Sequence, residues 1–132
     1  MSENPLIAVV DDDASMREAL QRLLRLEGFR TAMFASAEDF LQAGQLQDTA
    51  CLIVDVRMPR MSGLELQRQL AATHYPIPLI FITAHGDEAT REQALRAGAV
   101  DFLYKPFRDE VLLRAIHTAL RSSRQGGAEA QL

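Results

Sequence analysis

Five short apolar runs recur along the chain, LIAVV (6–10), TAMF (31–34), CLIV (51–54), PLIFI (78–82) and DFLY (101–104), each bounded by polar or turn residues. Runs of this length, rich in branched and aromatic residues, predict strands rather than helices. Between them the apolar spacing changes. Met16, Leu20, Leu23 and Leu24 make an i, i+4, i+7, i+8 stripe, and Val111, Leu112, Ala115, Ile116, Ala119 and Leu120 make another, the patterns of amphipathic helices. Three helix starts carry a serine with an acid three residues on, Ser15 with Glu18, Ser36 with Asp39 and Ser62 with Glu65, the spacing that closes a capping box. Gly28 and Gly98 follow helical stretches where a left-handed residue ends a helix.

Strands alternating with helices require crossover connections, which are right-handed and place helices on both faces of a parallel sheet. The pattern therefore predicts a doubly wound α/β fold. The first, third and fourth runs are continuously apolar and belong inside the sheet, whereas TAMF is weaker and fits an edge. Apolar periodicity ends near residue 122, and RSSRQGGAEAQL gains Gly, Ser and Gln, so 1–122 reads as one domain and 123–132 as a linker or tail.

A length of 132 residues, 48% of them hydrophobic, suits one domain with a proper core. A net charge of -4 argues against direct nucleic-acid contact, which needs clustered cations. No apolar stretch approaches the ~18 residues of a membrane span, and the N-terminus lacks the basic and small-residue features of a secretory signal. The expectation is a cytoplasmic protein. Cys51, the one cysteine, lies within an apolar run and is most simply a small buried hydrophobe.

In an open parallel sheet, ligands bind beyond the carboxyl ends of the strands. The first run ends into Asp11, Asp12 and Asp13, the third into Asp55, the fourth into Thr83 and the fifth into Lys105 and Pro106. Two unit charges about 4 Å apart repel by roughly 4 kcal/mol at an effective dielectric near 20, so crowded aspartates need a partner. Carboxylates from two strand ends suit a divalent cation such as Mg²⁺. Asp55, at the tip of the most apolar run, is the best-placed nucleophile toward phosphorus, with Thr83 and Lys105 placed to hold oxygens of the transferring group. The chain has thirteen arginines and this one lysine, which sets Lys105 apart from the generic surface cations. Pro106 is a candidate for a cis peptide aiming that lysine over the crevice. Asp13 reads instead as a charge at the start of the first helix.

Taken together these residues resemble the receiver domain of two-component response regulators, over about residues 6–120. VVDDD resembles the family's acidic pair at Asp11 and Asp12, DVRMPRMSG its acceptor loop with Asp55, FITAHGD its switch hydroxyl at Thr83 followed by Ala84, and DFLYKPF its lysine–proline pair at Lys105 and Pro106. The resemblance implies a flavodoxin-like five-stranded sheet in the order 2-1-3-4-5. It implies Mg²⁺ or Mn²⁺ held by Asp11, Asp12, Asp55 and the backbone carbonyl of Arg57, Asp11 acting mostly through water. Phe102 falls at the switch aromatic, and Arg57 and His85 at positions that tune phosphoryl lifetime. The wording is similar to the FixJ-like subgroup, in which a LuxR-type helix-turn-helix domain follows the receiver. The implied partners are a sensor histidine kinase and, through the fourth helix, fifth strand and fifth helix, a second copy of the chain, with DNA contact left to an output domain. The implied role is a phosphoacceptor switch that assists its own phosphotransfer and dephosphorylation, not an enzyme.

Three other readings share part of this chemistry. A flavodoxin-like cofactor carrier needs a phosphate-binding loop after the first strand, where this chain has three negative charges. An aspartyl-phosphate phosphatase wants its nucleophile in an Asp-x-Asp arrangement at the first strand and a cap domain. A receiver-like module that is never phosphorylated should lack one of Asp12, Asp55 or Lys105, and all three are present.

Overall fold

The computed structural model describes residues 4–73, 75–84 and 86–130, with side chains as far as Arg121. Strands and helices alternate strictly: β1 (Leu6–Val10), α1 (Ala14–Leu26), β2 (Arg30–Phe34), α2 (Ala37–Gln42), β3 (Thr49–Asp55), α3 (Gly63–Ala71), β4 (Leu79–Thr83), α4 (Glu88–Arg96), β5 (Asp101–Tyr104) and α5 (Asp109–Ala130). The five strands form one sheet in the order β2-β1-β3-β4-β5 with every pairing parallel. This is the doubly wound, flavodoxin-like α/β architecture.

Because strand side chains alternate between faces, the sheet divides the interior in two. On one side Ala8, Val10, Leu52, Val54, Phe81 and Phe102 pack with residues of α2, α3 and α4. On the other, Ile7, Val9, Ile53, Ile80, Ile82 and Leu103 pack against Leu20 and Leu24 of α1 and Leu112, Ile116 and Ala119 of α5. Burial on both faces explains why the inner strands read as unbroken apolar runs. β2, at the edge, is only half-buried. Cys51 lies in the second core, where burial pushes its thiol up to about 12.

Helix ends follow local hydrogen-bond chemistry. Ser62 and Glu65 form the full capping box at α3, and Ser36 accepts from the Asp39 N–H at α2. At α1 the cap differs from the serine expected at position 15. Asp13 takes that place, its carboxylate accepting from the N–H groups of Ser15 and Met16, because α1 begins at Ala14 and Ser15 is already inside the first turn. Gly28 (φ 89°) and Gly98 (φ 109°) close α1 and α4 in left-handed conformation. In each case the following residue, Phe29 or Ala99, donates back to the carbonyl of Leu24 or Ala94, the pairing of a Schellman motif. Val111, expected on the apolar stripe of α5, is instead partly exposed, as its place at the edge of the stripe allows. The α5 backbone stays helical to Ala130, past the point near residue 122 where the apolar spacing stops.

Replacing Asp13 with Ala should cost about 1 kcal/mol by removing the cap, whereas Ser15→Ala should change stability by only a few tenths, about 0.3 kcal/mol. Urea unfolding of the two variants distinguishes them, and the opposite order would return the cap to Ser15.

Candidate functional site

The carboxyl edge of the sheet gathers one charged or polar group from each inner strand. β1 runs out at Val10, yet the Asp11 N–H still pairs with the Phe34 carbonyl at 3.1 Å, so Asp11 starts its loop from a fixed backbone. Its carboxylate is fully buried, with Oδ1 accepting from the Asp13 N–H at 3.0 Å. Arg17 reaches back from α1 to donate Nη1 to the Asp11 carbonyl at 2.6 Å, tying the helix to the loop. Asp55 is the last residue of β3, and its Oδ1 accepts from the Arg57 N–H at 3.2 Å.

Behind Asp55 the chain folds closely. The Val56 N–H donates to Ile82 at 3.1 Å, and the Gly63 N–H donates to the Val56 carbonyl at 2.9 Å, drawing the start of α3 onto the end of β3. A Cβ at Gly63 would stand 2.5 Å from the Asp55 carbonyl oxygen, so only glycine permits this approach.

Lys105 follows β5 and joins Pro106 through a cis peptide bond. Its N–H donates to the Thr83 carbonyl at 2.8 Å. Its ammonium bonds Asp11 Oδ2 at 3.0 Å and Asp55 Oδ2 at 3.3 Å, bridging two strand ends. Asp12 is exposed beside them, and Asp11, Asp12 and Asp55 each offer a carboxylate oxygen within 4.8 Å of the others. Three hard oxygen donors in that compass fit a divalent cation of the magnesium type.

The electrostatics follow from this crowding. Burial raises the Asp11 pKa above its ordinary value; the Asp13 N–H and Lys105 draw it back only in part, and the Asp55 charge adds to the rise. For Lys105, burial alone would lower the ammonium, but its bond to Asp11 and the charges of Asp11 and Asp55 outweigh this and hold it above the usual lysine value. Burial and the partner charges thus act together on Asp11 and Lys105.

The remaining expected residues fall around this cluster. Thr83 ends β4 with only 1% of its surface exposed, and Ala84 lies exposed directly after it. Phe102 is buried on the side of the sheet facing α3 and α4. The side chain of Arg57 is exposed, and its charge adds to a lowering of the Asp87 pKa that hydrogen bonds from Thr90 dominate. His85 lies outside the described residues. Two residues of the site escaped sequence reading. Arg17 sits on a helix otherwise read only for its apolar stripe, and its role depends on a turn geometry that spacing does not reveal. Gly63 had a local signal, a glycine immediately after the Ser62 cap, but its closeness to β3 is a tertiary fact.

Residues 7–117 match the family model for the response regulator receiver domain. The chain is a response regulator receiver domain. Among curated relatives, this receiver is 51% identical over 124 residues to the response regulator protein TmoT of Ectopseudomonas mendocina, covering 93% of the chain and 56% of TmoT. It is 42% identical over 117 residues to the transcriptional regulatory protein FixJ of Bradyrhizobium diazoefficiens, covering 89% of the chain and 57% of FixJ. Among solved structures, FixJ-N superposes with a TM-score of 0.81 at 41% identity, covering 91% of this chain and 96% of that one. The receiver spans about half the length of the curated relatives it matches. Among the described residues no helix is long and apolar enough to cross a membrane.

Removing the bridging cation should expose the carboxylate repulsion. Lys105→Met is expected to lose about 2 kcal/mol of stability at pH 7. Asp11 has a raised pKa in the folded state, so the native protein holds that proton longer than the unfolded chain, and stability falls as pH rises above the ordinary value of 3.8. Without the lysine this window extends upward, so the penalty of Lys105→Met should shrink on going from neutral pH toward about pH 4. Urea melts across that range check it; a penalty independent of pH would contradict the electrostatic account.

Proposed function

We propose that this receiver is a phosphorylation-activated switch that accepts a phosphoryl group from the phosphohistidine of a sensor histidine kinase onto Asp55. The observation that carries the reading is the Lys105 ammonium held 3.3 Å from Asp55 and 3.0 Å from Asp11, with Asp12 completing an acidic cluster on the same edge. Asp11, Asp12, Asp55 and the backbone carbonyl of Arg57 would hold Mg²⁺ or Mn²⁺ there. When bound, such an ion supplies positive charge against the carboxylates and the oxygens of the transferring group.

The chain's own groups account for the rest. An oxygen of Asp55 attacks phosphorus, an O–P bond forms as the N–P bond to the kinase imidazole breaks, and the electron pair of that bond stays on the imidazole nitrogen. Lys105 stabilises charge on the equatorial oxygens, joined by the Thr83 hydroxyl and the Ala84 N–H. Burial of Asp11 and Thr83 keeps these partners fixed before the group arrives. Thr83 and Phe102 then change arrangement together, a shift between states biased by contacts to the phosphoryl group. Arg57 and His85 tune the lifetime of the phosphoaspartate.

The downstream half rests on relatives. FixJ is named as a transcriptional regulatory protein, and the matched region is 57% of its length. By that likeness residues 123–132 lead toward a helix-turn-helix output domain, the surface of α4, β5 and α5 pairs two phosphorylated copies, and the protein works in the cytoplasm. The net charge of -4 leaves DNA contact to the output domain.

Incubation with a small-molecule phosphodonor and Mg²⁺ should add one phosphoryl group by intact mass, and Asp55→Asn should abolish it. No adduct on the unaltered protein, or an adduct surviving Asp55→Asn, would overturn the assignment. Millimolar Mg²⁺ alone should raise the Tm by relieving the carboxylate repulsion, less so in Asp12→Asn. A melt indifferent to Mg²⁺ would count against the metal site.

A further inference from the structure

β4 and β5 are in register so that Phe81 pairs with Phe102 and Thr83 with Tyr104. Side chains two apart share a face, so Thr83, Phe102 and Tyr104 all point to the side of the sheet covered by α4. The rings form a ladder from core to surface: Phe81 to Phe102 at 6.0 Å between centroids, and Phe102 to Tyr104 at 5.5 Å, edge to face. Exposure rises along it, with Phe102 4% exposed and Tyr104 41%. Tyr104 is thus the outer cover of Phe102.

Gly86 closes the same cluster from the loop between β4 and α4. A Cβ placed there would lie 2.9 Å from Thr83 Cγ2, 2.9 Å from Tyr104 Cε1 and 3.1 Å from Phe102 Cε1. Its φ is outside the left-handed region, so the conformation itself does not demand glycine. The demand is for space. The loop backbone rests on the methyl of Thr83 and on two aromatic edges, so an added methyl must displace both Thr83 Cγ2 and the Tyr104 edge at 2.9 Å and press on Phe102 at 3.1 Å. The Thr83 backbone is tied to Lys105 through its carbonyl, and Phe102 is enclosed between Phe81 and Tyr104, so of the three Tyr104 has the most room to give way outward.

We propose that Gly86 and Tyr104 are positioning residues of the switch, the bare glycine and the tyrosine ring together setting the space in which Thr83 and Phe102 change arrangement. The proposal rests on the phosphoacceptor reading of the site and adds to it two residues outside the acidic cluster. It also makes Tyr104 the outward-facing reporter of a movement that begins under it. Bulk at position 86 blocks that movement by pressing on Thr83, Phe102 and Tyr104, and removing the Tyr104 ring relieves one of the two closest of these contacts.

The test uses the fact that the chain has two tyrosines, Tyr75 and Tyr104. Fluorotyrosine incorporation gives two ¹⁹F resonances, assigned with Tyr75→Phe, and beryllofluoride with Mg²⁺ stands in for the phosphoryl group. The Tyr104 resonance should move on addition in the unaltered protein and stay in place in Gly86→Ala, while Gly86→Ala still gains the phosphodonor adduct by mass. The Thr83 methyl, followed by ¹³C-methyl threonine labelling, should move on the same addition in the unaltered protein, stay in place in Gly86→Ala and recover part of its movement in Gly86→Ala/Tyr104→Ala. Each variant is first shown to unfold cooperatively; should Gly86→Ala not fold, Gly86→Ser in the Tyr104→Ala background against Tyr104→Ala alone tests added bulk once the ring is gone, and a Thr83 methyl that stays in place in the double variant while moving in Tyr104→Ala would contradict the proposal. A Tyr104 resonance that moves equally in Gly86→Ala, or a double variant no better than the single, overturns the proposal while leaving the phosphoacceptor reading standing. A protein that takes up no phosphoryl group overturns both.

Discussion

The bond pair that Lys105 makes to Asp11 and Asp55 is the interaction on which the functional edge depends. Two carboxylates brought together by separate strands repel, and a folded chain holds them there only with a cation between them. Everything around the cluster serves that juxtaposition. The parallel register delivers the strand ends to one level, the Arg17 bond fixes the turn after β1, and the contact at Gly63 fixes the turn after β3. The sheet is a frame for placing like charges closer than they would place themselves.

Placement of this kind stores the capacity for change. Carboxylates bridged by one ammonium respond together when charge is added among them, and under the proposed function an incoming phosphoryl group is a large addition of charge. Lys105 is joined through its backbone to Thr83 and, through β5, to Phe102 and Tyr104. The electrostatic event and the aromatic ladder are therefore separated by a few covalent bonds, with no long chain of intermediates to carry the response.

Much of this was legible in the sequence because it depends on local period and on where strands end. Five apolar runs marked the strands, two apolar stripes marked α1 and α5, capping serines marked the starts of α2 and α3 and a closing glycine the end of α4, and the strand-end rule brought Asp11, Asp12, Asp55, Thr83 and Lys105 to one edge. What escaped has physical causes. The cap of α1 moved from Ser15 to Asp13 because both residue types serve and only the backbone path decides between them. Arg17 and Gly63 act across turns and between elements, where spacing along one strand or helix carries no information. Gly86 was part of a recognised motif, yet its meaning lies in three side chains from two strands converging on it.

The division of the interior by the sheet has a mechanical consequence. Phe102 and Leu103 are neighbours in sequence but face opposite cores, one shared with α3 and α4 and the other with α1 and α5. Under the proposed switch, repacking of the aromatic ladder would draw its space from the compartment shared with α3 and α4. Under that proposal one half of the molecule is the moving part and the half packed on α1 and α5 its mount.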